Sequence, residues 1–129
     1  MADNGMGYSD ILQDHFQHPR NVGVIEAADS NVSVSNPACG DIMQLSLRIA
    51  NERITEAQFK TMGCPAAIAA GSVITELLLG RSLDEALQIT RQEVDAALGG
   101  LTPQKAHTAV LAEDAIKAAI KTYRQQSQT

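Results

Sequence analysis

The sequence predicts an α+β domain, a small antiparallel sheet of about three strands with helices packed on one face. Three observations carry this. Leu45, Leu47 and Ile49 alternate with Gln44, Ser46 and Arg48, and Ala57, Phe59 and Thr61 alternate with Gln58 and Lys60, the period of half-buried strands. From residue 66 the apolar spacing becomes helical and stays so to about residue 125. Strands thus come first and helices after, an order that suits helices gathered on one side of a sheet.

Ser9 caps a first helix that runs to about His18, with Tyr8, Leu12 and Phe16 as its apolar stripe, and His18-Pro19 ends the pattern. His15 and His18, on or just beyond this helix, are expected at the surface. Residues 19–41 are rich in Asn, Gly, Pro, Ser and Asp and leave room for one short strand near 32–34. Residues 42–49 and 57–61 join through the polar turn Asn51-Glu52 as an antiparallel hairpin. Residues 66–79 are apolar on nearly every side, which predicts a central core helix that Gly80 stops. Ser82 with Glu85 and Thr90 with Glu93 are capping-box patterns, predicting short helices over 83–89 and 91–98 that Gly99-Gly100 ends. Thr102-Pro103 starts the last helix, which places Ala112, Ile116, Ala119, Ile120 and Tyr123 on one face and His107, Asp114 and Lys121 on another. Residues 1–7, small and polar, are expected to be disordered, and residues 8–126 to form a single domain.

The composition narrows the function. The chain has 129 residues, 44% hydrophobic and 19% charged, an ordinary globular balance that can bury about two-thirds of the unfolded surface. A net charge of −5 offers no broad positive field for nucleic acid or anionic lipid. Residues 102–129 carry a local +2, from Lys105, Lys117, Lys121 and Arg124 against Glu113 and Asp114, which reads as a solvated helix face. No apolar run approaches the roughly 18 residues of a spanning helix. The start, MADNGMGYSD, lacks the basic region and apolar core of a secretory signal, so a cytoplasmic protein is expected. Two cysteines are too few for a disulfide framework, which directs attention to thiol reactivity or metal binding.

Cys39 and Asp41 stand two apart in the turn Asn36-Pro37-Ala38-Cys39-Gly40-Asp41, where Pro and Gly allow both side chains to be aimed at one point. Cys64 stands where a strand ends and the core helix begins, and the unpaired N–H groups of a helix N-terminus favour the thiolate that binds metal. Taken singly, each cysteine fits an inert small hydrophobe equally well, and His107 fits a surface residue. Together, Cys39, Asp41, Cys64 and His107 lie at ends of elements and supply two thiols, a carboxylate and an imidazole, enough for a four-coordinate metal.

The runs NPACGD, FKTMGCPAAIAAGSVITELLLGRSLDEAL and QKAHTAVLAEDAIKAAI, in this order between Tyr8 and Tyr123, resemble the IscU/NifU N-terminal family of iron–sulfur cluster scaffolds. The resemblance implies a 2Fe–2S cluster or iron held by Cys39, Asp41, Cys64 and His107, a cysteine desulfurase as sulfur donor, and apo-proteins as acceptors. It implies a protein that binds and hands on, and not an enzyme. The family's third cysteine follows the histidine directly; here that position is Thr108, whose hydroxyl is neither a good soft-metal ligand nor a persulfide acceptor. One branch of the family is served by a chaperone that reads a loop resembling Leu-Pro-Pro-Val-Lys, where this chain has Leu101-Thr102-Pro103-Gln104-Lys105, which leaves a chaperone partner open. Two other readings stand beside the scaffold. One is a zinc-binding degenerate homologue that acts as partner or regulator of the desulfurase, since the same four ligands suit tetrahedral zinc. The other, a small thiol enzyme using Cys64 with His107 as base, has no readable oxyanion site.

Overall fold

The computed structural model describes residues 8–36 and 40–127. The expected disorder of residues 1–7 and the position of Cys39 lie outside them. The element order is α1 (Asp10–Gln17), β1 (Ser30–Ser35), β2 (Ile42–Ala50), β3 (Arg53–Met62), α2 (Pro65–Leu78), α3 (Leu83–Leu87), α4 (Arg91–Ala97), a 3-10 turn (Pro103–Lys105) and α5 (His107–Ser127). None of these helices is long and apolar enough to cross a membrane.

The three strands form one antiparallel sheet in the order β1-β2-β3. Asn51 and Glu52 close the β2–β3 hairpin with both φ angles positive, at 54° and 62°, the two-residue turn whose twist matches that of paired strands. Met43, Leu45, Leu47 and Ile49 of β2 and Ala57 and Phe59 of β3 are buried on one face, against which α2 and α5 pack. Gly71 sits where α2 crosses β3: a Cβ there would stand 2.3 Å from Phe59 Cδ2, so the close approach of helix to sheet depends on glycine. The opposite face is covered in part, around Ser46, by chain without regular structure, while Glu56 and Lys60 stay exposed. Gly23 N donates to Phe59 O (2.9 Å) at the free edge of β3, Ile25 N to Ser46 Oγ (3.0 Å), and Asp29 N to Leu47 O (2.9 Å), so residues 21–29 cross behind the sheet and bury Ser46 completely.

Some expectations need correction. His15 is not a surface residue: it is 6% exposed, while Phe16 is 38% exposed, so the inward stripe of α1 is Leu12 with His15. The cause lies across the α1–α2 contact, where His15 Nδ1 meets the buried Ser72 hydroxyl at 2.7 Å and Nε2 lies 3.5 Å from Glu76 Oε1. Burial pushes the imidazole below its ordinary pKa, and the nearby Arg20 cation adds to this against the pull of Glu76 and Asp14. His18 is exposed as expected.

The last helix also differs. It begins at His107 and not at Thr102, because the Thr108 hydroxyl donates to Lys105 O (2.8 Å), the acceptor that Ala109 N would use in a continuous helix; Ala109 N bonds Ala106 O instead (3.2 Å). Of the two capping boxes, that of Ser82 and Glu85 is complete. In the other, Thr90 caps α4 but the Glu93 carboxylate turns to Arg81 (3.1 Å).

Candidate metal centre

Three elements end at the same place. Ile42 is paired with Met62, so Asp41, just before β2, and Gly63, just after β3, stand opposite each other beyond the last paired residues. Cys64 follows at once as the N-cap residue of α2, with Pro65 at the first helical position. Its carbonyl accepts from Ala67 N (3.0 Å) and Ile68 N (3.2 Å), whereas its thiol makes no cap bond and is left for other work. The β1–β2 loop is closed by Asn36 N donating to Asp41 O (2.9 Å) and Gly40 N to Asn36 O (2.7 Å), with Gly40 at φ +78°. His107 arrives as the first residue of α5.

The donor atoms of Asp41, Cys64 and His107 all lie within 4.8 Å of one another. Asp41 is 6% exposed, and its Oδ2 is the hub, 3.6 Å from Cys64 Sγ and 3.6 Å from His107 Nε2. The imidazole–carboxylate separation is too long for an N–H···O hydrogen bond. It is close to the edge of a tetrahedron around a metal bonded at 2.0–2.3 Å, which is about 3.3–3.8 Å. His107 Nε2 is buried and has no hydrogen-bond partner among the described residues. A buried ring nitrogen left bare beside a thiol and a carboxylate is what a ligand-ready site requires and what a settled structural histidine avoids. His107 also lines an open groove of about 420 Å³ between α4 and α5, beside Arg91, Asp95, Leu101 and Val110.

The sequence-based candidates Asp41, Cys64 and His107 are thus brought together, and Cys39 falls outside the described residues. Thr108 is fully buried with its hydroxyl committed to Lys105 O. Sequence reasoning passed over Gly63. A Cβ there would lie 2.5 Å from Asp41 Oδ1, so the absence of a side chain is what lets the carboxylate lie over β3. A glycine directly before the cysteine was the available signal.

An open three-stranded sheet with a sulfur, an oxygen and a nitrogen donor gathered where strand, loop and helix ends meet defines a small α+β domain with a candidate metal site. The chain belongs to the NifU-like N terminal domain family, whose model matches residues 7–129. It is 51% identical over 116 residues to the iron-sulfur cluster assembly scaffold protein IscU 1 of Archaeoglobus fulgidus, across 90% of this chain and 76% of that one. It is 48% identical over 123 residues to the iron-sulfur cluster assembly scaffold protein IscU of Escherichia coli K12, across 92% of this chain and 95% of that one. The crystal structure of a nitrogen-fixing NifU-like protein (N-terminal) from Brucella abortus shares the fold, with a TM-score of 0.77 at 15% identity over 91% of this chain and 94% of that one.

Proposed function

We propose that this chain is an iron–sulfur cluster assembly scaffold acting in the cytoplasm, one domain over residues 8–126. It takes iron and then a 2Fe–2S cluster as cargo on Cys39, Asp41, Cys64 and His107, receives sulfur from a cysteine desulfurase, and passes the cluster to acceptor apo-proteins. The observation that carries this is the bare, buried Nε2 of His107, 3.6 Å from the carboxylate oxygen that also faces Cys64 Sγ. Relatives about half identical over most of this chain are named cluster assembly scaffolds, which supports it.

The donor set suits cargo that must leave. Thiolates hold a soft or borderline metal, while a carboxylate oxygen is a hard ligand poorly matched to it, so the site binds without trapping. The role is to bind and hand on, with no turnover of an organic substrate. Zinc fits the same donors and competes with iron for them.

The test is anaerobic reconstitution with ferrous iron, cysteine and a desulfurase, followed by visible absorption and counts of iron and sulfide. A sulfide-containing chromophore that is lost in Cys39→Ala and Cys64→Ala and kept in His18→Ala is expected. A protein that stays colourless and retains zinc through the same treatment would overturn the scaffold in favour of a zinc-held regulator of the desulfurase.

A further inference from the structure

Among the described residues three side-chain nitrogen or oxygen atoms are buried without a hydrogen-bond partner, and two of them belong to the same end of the sheet: His107 Nε2 and Thr61 Oγ1. Thr61 is the penultimate residue of β3. It alternates with exposed Lys60 and Met62 and falls on the face of Ala57 and Phe59, each 2% exposed, so its side chain stands on the helix-covered side. Pairing with Met43 makes it the diagonal neighbour of Asp41, one step along the same face from Gly63.

The two oxygens of Asp41 face different ways. Oδ2 is directed at Cys64 and His107, and Oδ1 lies over Gly63 on the β3 side, the strand that carries Thr61. A buried hydroxyl with no partner costs stability, and valine would fill the same space without that cost. A polar group kept there calls for a partner, an ordered water or a group engaged in another state of the protein. We propose that Thr61 is a positioning residue for the donor set. When Oδ2 engages a metal, the Thr61 hydroxyl donates to Oδ1 and fixes the carboxylate plane, as outer hydrogen bonds orient metal-bound carboxylates generally. This rests on the assignment of Asp41 and Cys64 as ligands.

The experiment titrates the full chain with Co²⁺ alone, reading affinity by chelator competition and ligand geometry from the visible ligand-field bands, beside thermal melts of the metal-free protein. Thr61→Val should weaken Co²⁺ binding about 10-fold and shift the bands while the metal-free protein melts at or above the parent temperature; Thr61→Ser, which restores the hydroxyl, should return affinity and spectrum toward the parent. Parent-like affinity and bands in Thr61→Val overturn the proposal, as does a Thr61→Ser variant as weak as Thr61→Val. Cys64→Ala separates the two levels. If it loses Co²⁺ while Thr61→Val does not, only the role of Thr61 fails; if it binds like the parent, the ligand assignment fails and the proposal with it.

Discussion

Gly63→Ala tests the site at the point where fold and ligand geometry meet. A Cβ at this position would stand 2.5 Å from Asp41 Oδ1, 2.6 Å from Cγ and 3.1 Å from Cβ, whereas ordinary contact begins at 3.4 Å. The carboxylate must therefore withdraw by about 0.9 Å. Gly63 is not among the residues with positive φ, so alanine enters its backbone conformation without strain. The clash runs from Oδ1 down to Cβ of Asp41, so the side chain has to move together with its backbone, and the metal-free fold should lose about 1–3 kcal/mol. Metal bonds are less forgiving, tolerating about 0.2 Å. Shifting Oδ2, which now stands 3.6 Å from both other donors, by several times that tolerance should weaken binding roughly 10- to 100-fold. Chelator-competition titration with Co²⁺ measures the affinity, and urea unfolding of the metal-free protein measures the fold. Parent-like affinity in a folded Gly63→Ala protein would show that Asp41 does not bind metal from its observed position.

His15 makes stability depend on pH. Its native pKa lies below the ordinary 6.5, so between those two values the unfolded chain binds more protons than the native one. Stability should then be fully present above 6.5 and fall as pH drops through that window, at no more than about 1.4 kcal/mol per pH unit; urea unfolding from pH 7.5 to 5 should give a shallower slope in His15→Gln, and an equal slope would remove His15 from the account. Thr108→Cys replaces a hydroxyl that donates to Lys105 O with a weak thiol donor, so the metal-free protein should lose about 1 kcal/mol in urea unfolding. A third thiolate beside His107 should at the same time raise the yield of reconstituted cluster, and an unchanged yield would show that the four native donors already suffice.

Legibility in the sequence followed the range of the interaction. The β2–β3 hairpin and α2 could be read because alternation, a polar two-residue turn and a closing glycine act within a few residues. His15 could not, because the hydroxyl that brings it inside belongs to Ser72, 57 residues further on. The start of α5 was missed for a local reason of a different kind: Pro103 suits a first helical position, but the Thr108 hydroxyl intercepts Lys105 O and divides a 3-10 turn from the helix. Asp41, Cys64 and His107 could be named as candidates by residue type and by their places at element ends, and the structure brings them together. Gly63 and Thr61 were not, since a glycine that makes room and a hydroxyl without a partner have no motif of their own.

The strand register that assembles the site depends on one irregularity. Ile49 pairs with Ile54 but Arg48 pairs with Glu56, so Thr55 is an extra residue in β3, and its hydroxyl donates to Arg48 O (3.1 Å). Counting from the turn without this bulge, Asp41 would meet Met62, and Glu56, Gln58 and Lys60 would face the helices. With it, Ala57, Phe59 and Thr61 turn inward and Gly63 comes opposite Asp41. The apolar spacing of three between Ile54 and Ala57, in a strand that otherwise repeats every two, is the trace of this in the sequence. One residue inserted near the turn therefore decides whether the carboxylate beyond the far end of the hairpin meets a glycine it can lie against or a methionine that would exclude it. Because the donors come from the start of β2, the start of α2 and the start of α5, they converge only when sheet and helices are packed, and metal bound on the proposed set would be coupled to the folding of this end of the sheet.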